Sequence, residues 1–211
     1  MDTCLTDKTL QNTLRIKIKT EIPLLLCLRI YINLLKLFMI GPLTTALERI
    51  DIPADWIGIR AIQEASSFRA MRDGHPQRNE RSLNRGARGE VLAQGQFGYS
   101  ATNQLTEEAL RQAMQRAYKQ AIAASKWAIH YFTQAVRPPI TGSYRSPYQK
   151  PFDSLDISEI NDLLRRLCEH LKVSAAIVRT SAIARTYDIA AWFVSTNGSQ
   201  IHQRTGAGSV L

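Results

Sequence analysis

The sequence predicts an α+β fold, with an antiparallel hairpin sheet and covering helices, followed by the start of a second α+β module. Two observations support this prediction. Apolar side chains alternate with a period of two over residues 57–61 and 97–101, and then recur every three or four residues after Thr106. The dipeptides Asp73-Gly74 and Asn197-Gly198 are typical of the tight turns that join neighbouring antiparallel strands.

The composition is that of a globular protein. Of the 211 residues, 45% are hydrophobic and 21% are charged, which is sufficient for a core without disulfide staples. The three cysteines, Cys4, Cys27 and Cys168, have no CxxC spacing and indicate a reducing compartment. We expect Cys168 to pack in a core. The net charge of +9 is compatible with a nucleic acid, an anionic membrane or an acidic protein partner, and charge alone does not distinguish them.

Residues 1–40 differ from the rest of the chain and are predicted to be an extra N-terminal segment. Basic residues precede an apolar run at residues 22–40, an order typical of a signal anchor, but Arg29 and Lys36 interrupt the run. Three interpretations stay open: translation that starts at Met39, a segment that lies on a membrane, and a transmembrane anchor. A membrane contact is expected only if residues 22–40 belong to the protein.

Residues 41–130 form the first predicted module. A short helix over residues 42–50 precedes an alternating strand over residues 57–70. Two further strands are predicted at residues 86–93 and 97–101, so that the module forms a meander of hairpins. The turns between these strands are placed at Asp73-Gly74 and Gln94-Gly95.

The first module ends in a helix whose beginning is marked by its side chains. Thr106 can accept a hydrogen bond from the first turn of backbone, and Glu107 and Glu108 suit the positive end of the helix dipole. An apolar stripe then recurs at helical spacing, so we expect the helix to cover one face of the sheet. The stripe consists of Leu110, Ala113, Met114, Ala117, Ala121 and Ala124.

Residues 131–153 are predicted to be a linker rich in proline and tyrosine. Prolines and Gly142 interrupt any regular period, and Tyr144, Tyr148 and Phe152 lie between them. We interpret the linker as a strap on the surface between two modules. Recognition of this polyproline-like segment by a partner is the alternative.

Residues 154–211 are predicted to begin a second module. Asp156, with Glu159 three residues later, gives a capping-box pattern at the start of a helix. Strands are expected at residues 175–180 and 189–193. Both predictions give this module the same elements as the first, a helix beside hairpin strands.

The last hairpin turns at Asn197-Gly198. Its return strand is placed at residues 199–203 and leads into the small residues 205–209. We interpret this ending as a module cut short. Because such a cut leaves an unpaired strand edge, low solubility is expected.

No catalytic, cofactor-binding or metal-binding residue is predicted. The sequence contains no HExxH or HExxxH pattern, no GxSxG or GxxxxGK[ST] motif and no GxGxxG after a strand. Cys168, Glu169 and His170 point about 100° apart on a helix, so they cannot share one metal ion. The glycines at residues 86–89 and 95–98 are interpreted as sheet turns or bulges. The histidines are His75, His130, His170 and His202.

A cluster of arginines is the remaining signal. The arginines lie close in sequence to Phe68, Phe97 and Tyr99, and together these side chains could bind single-stranded nucleic acid by phosphate contacts and stacking. A solvated basic face and an interface with an acidic subunit are the alternatives. The arginines are Arg69, Arg72, Arg78, Arg81, Arg85 and Arg88.

Residues 55–120 resemble the N-terminal module of the TldD/PmbA family, once called modulators of DNA gyrase. The order and spacing of four segments carry the resemblance, which extends over about 150 residues through the later segments Val178-Arg-Thr180 and Phe193 to Gly198. Arg88 departs from the family pattern, which has a hydrophobic residue there. The four segments are Arg72-Asp-Gly74, Gly89 to Gly95, Gln96 to Thr102 and Leu105 to Leu110.

The resemblance implies a cytoplasmic, two-subunit protease system that acts on unfolded or precursor peptides. In this family one subunit binds zinc through HExxxH and a later cysteine, and its relative lacks these residues; none of them can be assigned to this chain. The chain is therefore expected to be an N-terminal fragment that is inactive alone. A non-catalytic subunit or docking module for the related subunit, and a basic nucleic-acid binder, are the alternatives.

Overall fold

The computed structural model describes residues 39–147, 154 and 156–211. The chain divides after Leu37, and every described residue belongs to the second unit, Phe38–Leu211. The three interpretations of residues 22–40 therefore fall almost wholly outside the described residues. Within the described residues, no helix combines the length and the apolar character needed to cross a membrane.

One mixed sheet with the α-helices on one side organises these residues. Its strands follow the order β3-β2-β1-β5-β6-β4, and all neighbours are antiparallel except β4 and β6. The predicted α+β class is confirmed. The elements are α1 (39–48), β1 (Trp56–Arg72), β2 (His75–Ala93), β3 (Gln96–Thr102), α2 (Glu107–Ser125), a short 3-10 helix (Gln134–Val136), β4 (Thr141–Arg145), α3 (Ile157–Leu171), β5 (Ser181–Ser195) and β6 (Gln200–Val210).

The turns on both sides of β2 have the conformation that their sequences predict. Asp73 and Gly74 have φ values of 49° and 78°, and Gln94 and Gly95 have values of 51° and 73°. Two consecutive positive φ values match the right-handed twist of the flanking strands. The dipeptides therefore fix the register of β1, β2 and β3 locally.

The predicted caps also start the two long helices. The Thr106 hydroxyl accepts a hydrogen bond from the Ala109 amide (3.3 Å), and the Asp156 carboxylate accepts one from the Ser158 amide (2.9 Å). Each cap satisfies one of the amides that have no partner inside the helix.

The helices divide the covered side of the sheet, here called the helix face, into two packed regions. The proximal core lies under α1 and α2 and contains large apolar side chains from five elements, namely α1, β1, β2, α2 and β5. It includes Leu43, Leu47, Ile57, Ile59, Val91, Leu110, Met114, Trp192 and Val194.

The distal core lies under α3, at the other end of β1 and β5. It is smaller and combines Leu164 and Cys168 of α3 with Met71, Ala182 and Ala184 of the strands. Cys168 is 1% exposed, so the prediction that it packs in a core is confirmed. Both cores use odd-numbered residues of β1, because side chains alternate between the two faces of a strand.

Three features of the C-terminal half differ from the sequence-based predictions. Residues 175–180 form a turn and a loop instead of a strand, with Val178 92% exposed, because no neighbouring strand pairs with them. The linker contributes β4, which pairs in parallel with β6. Residues 205–209, expected beyond the last strand, belong to β6 and pair with β5.

Candidate functional site

The arginines of the β1–β2 hairpin do not form one surface. Strand alternation puts Arg69 and Arg81 on the helix face and Arg78 and Arg88 on the opposite side, here called the open face. The cluster of arginines in the sequence therefore lies on one hairpin, but its members are divided between two faces with different surroundings.

On the open face, arginines lie against aromatic rings. Phe68 has the guanidinium of Arg78 at 4.9 Å and that of Arg185 at 5.1 Å from its ring centroid. Arg88 lies 5.6 Å from the ring of Tyr99. Each contact is a cation–π arrangement, which holds the charge in place while leaving it near solvent.

The proximal end of the open face is covered by the segment 131–137. The Phe132 amide donates to the carbonyl of Gly95 (2.9 Å), and the Arg137 guanidinium donates to the Glu90 carboxylate (2.7 Å). Burial, followed by the nearby Glu90 carboxylate, raises the pKa of the Tyr99 phenol. This segment closes an aromatic cluster of Trp56, Phe97, Tyr99, Phe132 and Phe193.

The centre of the open face carries partly exposed apolar side chains. Ile62 is 39% exposed and Tyr187 is 38% exposed, and Ile189 and Ala191 beside them are half-buried. The α-helices α1, α2 and α3 all pack on the other side of the sheet, with the residues of the two cores. The result is an apolar strip with arginines at its margins, a composition typical of protein interfaces.

The helix face has a cavity of about 340 Å³ between the proximal and distal cores. Its floor consists of the small side chains Ala65, Ser67 and Thr186, and Arg69 and Asp188 stand at its sides. Short side chains here keep the sheet surface uncovered between α2 and α3.

The histidines do not come together. His202 is buried against Trp192, with ring centroids 5.6 Å apart, and His170 Nδ1 lies 2.7 Å from the carbonyl oxygen of Arg166. His130 packs edge-on against Phe132, and His75 is exposed. Across the described ranges, no three His, Cys, Asp or Glu side chains are arranged to hold a metal ion. These residues therefore do not fit a zinc site.

The glycines of β2 and β3 permit close packing of α2. A Cβ atom on Gly89 would lie 2.3 Å from Met114 Sδ, and one on Gly98 would lie 1.9 Å from the Ala117 carbonyl oxygen. These glycines were interpreted as turns or bulges. They instead let α2 approach the strand backbone directly.

Part of the chain matches a known protein family. Residues 57–121, which run from β1 into α2, match the family described as PmbA/TldA metallopeptidase domain 1. The search of curated proteins found no match.

Several solved structures share the fold. TldE from Thermococcus kodakarensis superposes with a TM-score of 0.60 at 12% identity, over 80% of this chain and 38% of that one. A protein assigned as a modulator of DNA gyrase from Bacteroides thetaiotaomicron gives 0.57 at 15% identity, over 81% and 38%. A similarly assigned protein from Thermotoga maritima gives 0.52 at 14% identity, over 74% and 34%. The chain thus spans little more than a third of the length of these structures.

Proposed function

Through residues 57–121 this chain belongs to the PmbA/TldD family, and we propose that it supplies the N-terminal, non-catalytic domain of a cytoplasmic metallopeptidase system. The observation that carries the proposal is the match of these residues to a metallopeptidase domain. In the described part of the chain, no side-chain cluster suited to a metal accompanies that domain. The residues that perform proteolysis are therefore proposed to come from outside this sequence.

The proposed role of the domain is to dock a related subunit on its open face. The strip around Ile62 and Tyr187 offers apolar area, and Arg88 and Arg185 at its margins favour a partner with acidic side chains. An unfolded peptide substrate could pair with the outer edge of β4, because strand addition uses backbone hydrogen bonds and tolerates many sequences.

A peptidase assay tests the catalytic part of the proposal. The 211-residue chain is incubated with zinc and an unfolded casein substrate, with and without a chelator. We expect no cleavage. Chelator-sensitive cleavage by the chain alone would show that it holds a complete metal site, and the proposal would fail.

Co-elution on size-exclusion chromatography tests docking. The partner is a PmbA/TldD-family protein that contains HExxxH, taken from the same source as this chain. Ile62→Glu on the open face should weaken co-elution. Leu83→Glu should not, because Leu83 lies on the helix face, although it is an aliphatic residue that is more exposed than Ile62. Equal effects of the two variants would contradict docking on the open face.

Nucleic-acid binding is a second candidate, favoured by arginines and aromatic rings on one face. However, the ring of Phe68 is already covered by Arg78 and Arg185, which leaves little free ring surface for stacking a base. Fluorescence anisotropy with single-stranded DNA distinguishes the candidates. Binding that weakens steeply with salt would support this second function, and no binding at low salt would exclude it.

A further inference from the structure

Arg69 is a buried cation that has no counter-ion among the described residues. The residue is 7% exposed, and its Nε and Nη1 atoms are buried and make no hydrogen bond within the described part of the protein. An arginine side chain stays charged at any physiological pH, so the charge cannot be removed by losing a proton. Because burial of an unpaired charge is costly, such a group is usually paired with an anion.

The cavity next to Arg69 has the space that an anion needs. Its volume is about 340 Å³, and the hydroxyls of Ser67 and Thr186 lie on its floor. Arg81, which pairs with Ser67 across β1 and β2, also lines it. Two guanidinium groups and two hydroxyls therefore surround one space between the proximal and distal cores.

The acidic side chains of the cavity are already engaged. Asp188 forms a two-point ion pair with Arg204, with distances of 2.9 Å and 2.5 Å. Asp156 caps α3 through the Ser158 amide. Asp188 thus already has a cationic partner in Arg204, whereas Arg69, on the same cavity wall, has buried nitrogen atoms without a hydrogen-bond partner among the described residues.

From this arrangement we infer that the cavity binds a carboxylate group, with Arg69 as the main recognition residue and Arg81 as the second. A carboxylate carries one negative charge, whereas phosphate carries up to two and would bring more negative charge near the carboxylates of Asp156 and Asp188, which also line the cavity. The planar guanidinium of arginine matches the planar carboxylate. The group could belong to a free carboxylic acid, an acidic side chain or a peptide C-terminus. The inference does not depend on the proposed peptidase role.

The test is an NMR titration of the isotope-labelled 211-residue chain that follows the Arg69 Nε–Hε resonance. The probes are acetate, a blocked alanine peptide with one central aspartate, its asparagine counterpart, and the asparagine peptide with a free C-terminus. Inorganic phosphate is the comparison anion. We expect the probes that carry a carboxylate to shift the resonance saturably, and the blocked asparagine peptide to leave it unchanged.

The probes also distinguish the sources of the carboxylate. Tighter binding of the aspartate peptide indicates an acidic side chain, tighter binding of the free C-terminus indicates a chain end, and tighter binding of acetate indicates a small acid. Each result supports the inference. Absence of saturable shifts with every carboxylate, or binding of phosphate as tightly as the best of them, would overturn it.

Variants make the assignment specific. Arg69→Met should weaken carboxylate binding at least about thirtyfold, as expected for removing one partner of a buried charge pair. The matched control is Arg185→Gln, which removes a charge from the neighbouring strand on the open face and should leave binding unchanged. Without ligand, Arg69→Met should melt no lower than the wild type, because it removes an uncompensated buried charge. Unchanged affinity in Arg69→Met, or a clear loss of Tm, would contradict a ligand-binding role.

Discussion

The two ends of β1 lie in the same sheet but are packed in different ways. At the proximal end, Ile57 and Ile59 meet large side chains of α2, including Leu110 and Met114. At the distal end, Met71 meets a single helix and small strand residues. Between the ends, Arg69 and the small residues of the cavity floor interrupt the apolar surface.

The two ends therefore contribute differently: the proximal end stabilises the fold, and the distal end leaves the cavity accessible. The proximal core buries apolar area from helices and strands together and supplies most of the hydrophobic free energy. The distal end has few large apolar side chains, so it is held mainly by the continuity of β1, β2 and β5. The distal end can keep an uncovered cavity because β1, β2 and β5 run into it from the proximal core, which stabilises the whole sheet. The predictions below test this division.

The largest expected effect comes from separating α2 from the sheet. Gly98→Val puts a side chain where a Cβ atom alone would lie 1.9 Å from the Ala117 carbonyl oxygen, so the helix must move. We expect a loss of about 3 kcal/mol or more in the free energy of unfolding, measured by urea denaturation. Gly142→Val in the exposed strand β4 is the control, since no atom of the described residues lies within 4 Å of its Cβ position. Similar losses in both variants would show that α2 does not depend on this close contact.

A pair of leucines compares the two cores directly. Leu110 is 2% exposed in the proximal core and Leu164 is 1% exposed in the distal core. Leu110→Ala should cost about 3–4 kcal/mol, because its large buried neighbours cannot fill the space. Leu164→Ala should cost about 2 kcal/mol, because the half-buried Ile160 and Leu167 can move inwards. Denaturant midpoints measure both values, and an equal or larger loss at Leu164 would contradict the division.

Local signals in the sequence were sufficient for the tight turns and for the starts of the two long helices. Asp73-Gly74 and Asn197-Gly198 set their turns, and Thr106 and Asp156 set their helix starts, because these effects act within a few residues. The pairing of β5 with β1 was not predictable in this way. It joins residues more than a hundred positions apart, and no short-range pattern specifies such a partner.

The candidate sites also depend on non-local strand pairing, which the sequence alone did not reveal. Position along the chain grouped Arg69, Arg78, Arg81 and Arg88 as one basic stretch, whereas the strands distribute them between two faces. Their parity within each strand was a usable signal, since Arg69 is odd-numbered like the buried Ile59 of β1 and Arg81 is odd-numbered like the buried Val91 of β2. The cavity itself was not predictable, because its walls come from α3 and β5, whose positions depend on non-local pairing.

A smaller effect concerns the cap of α2. Thr106→Ala removes the hydroxyl that accepts from the Ala109 amide, and we expect it to cost about 1 kcal/mol. Thr106→Ser keeps the acceptor and should retain most of the stability. Hydrogen exchange should quicken in the first turn of α2 before it changes in α3, since the two helices belong to separate cores. Simultaneous loss of protection in α3 would indicate one cooperative core instead of two.

The smallest expected effect is the contribution of Asp73, at the distal end, to the pH dependence of stability. The Asp73 carboxylate accepts hydrogen bonds from the Thr180 amide (2.7 Å) and from the Thr180 hydroxyl (3.3 Å). The hydrogen bond from the amide is the main cause that holds the pKa of Asp73 below its ordinary value. A carboxylate with a lower pKa in the folded state stabilises the protein above the pKa of the unfolded chain, about 3.9. That contribution is lost as the pH falls from there through the folded-state pKa. Urea midpoints measured between about pH 5 and pH 2 should therefore fall less steeply in Asp73→Asn than in the wild type. Thr180→Ala keeps the amide donor and should retain most of this pH dependence of the urea midpoint. If the midpoint falls equally steeply with pH in the wild type and in Asp73→Asn, this contact does not tie the β1–β2 turn to the start of β5.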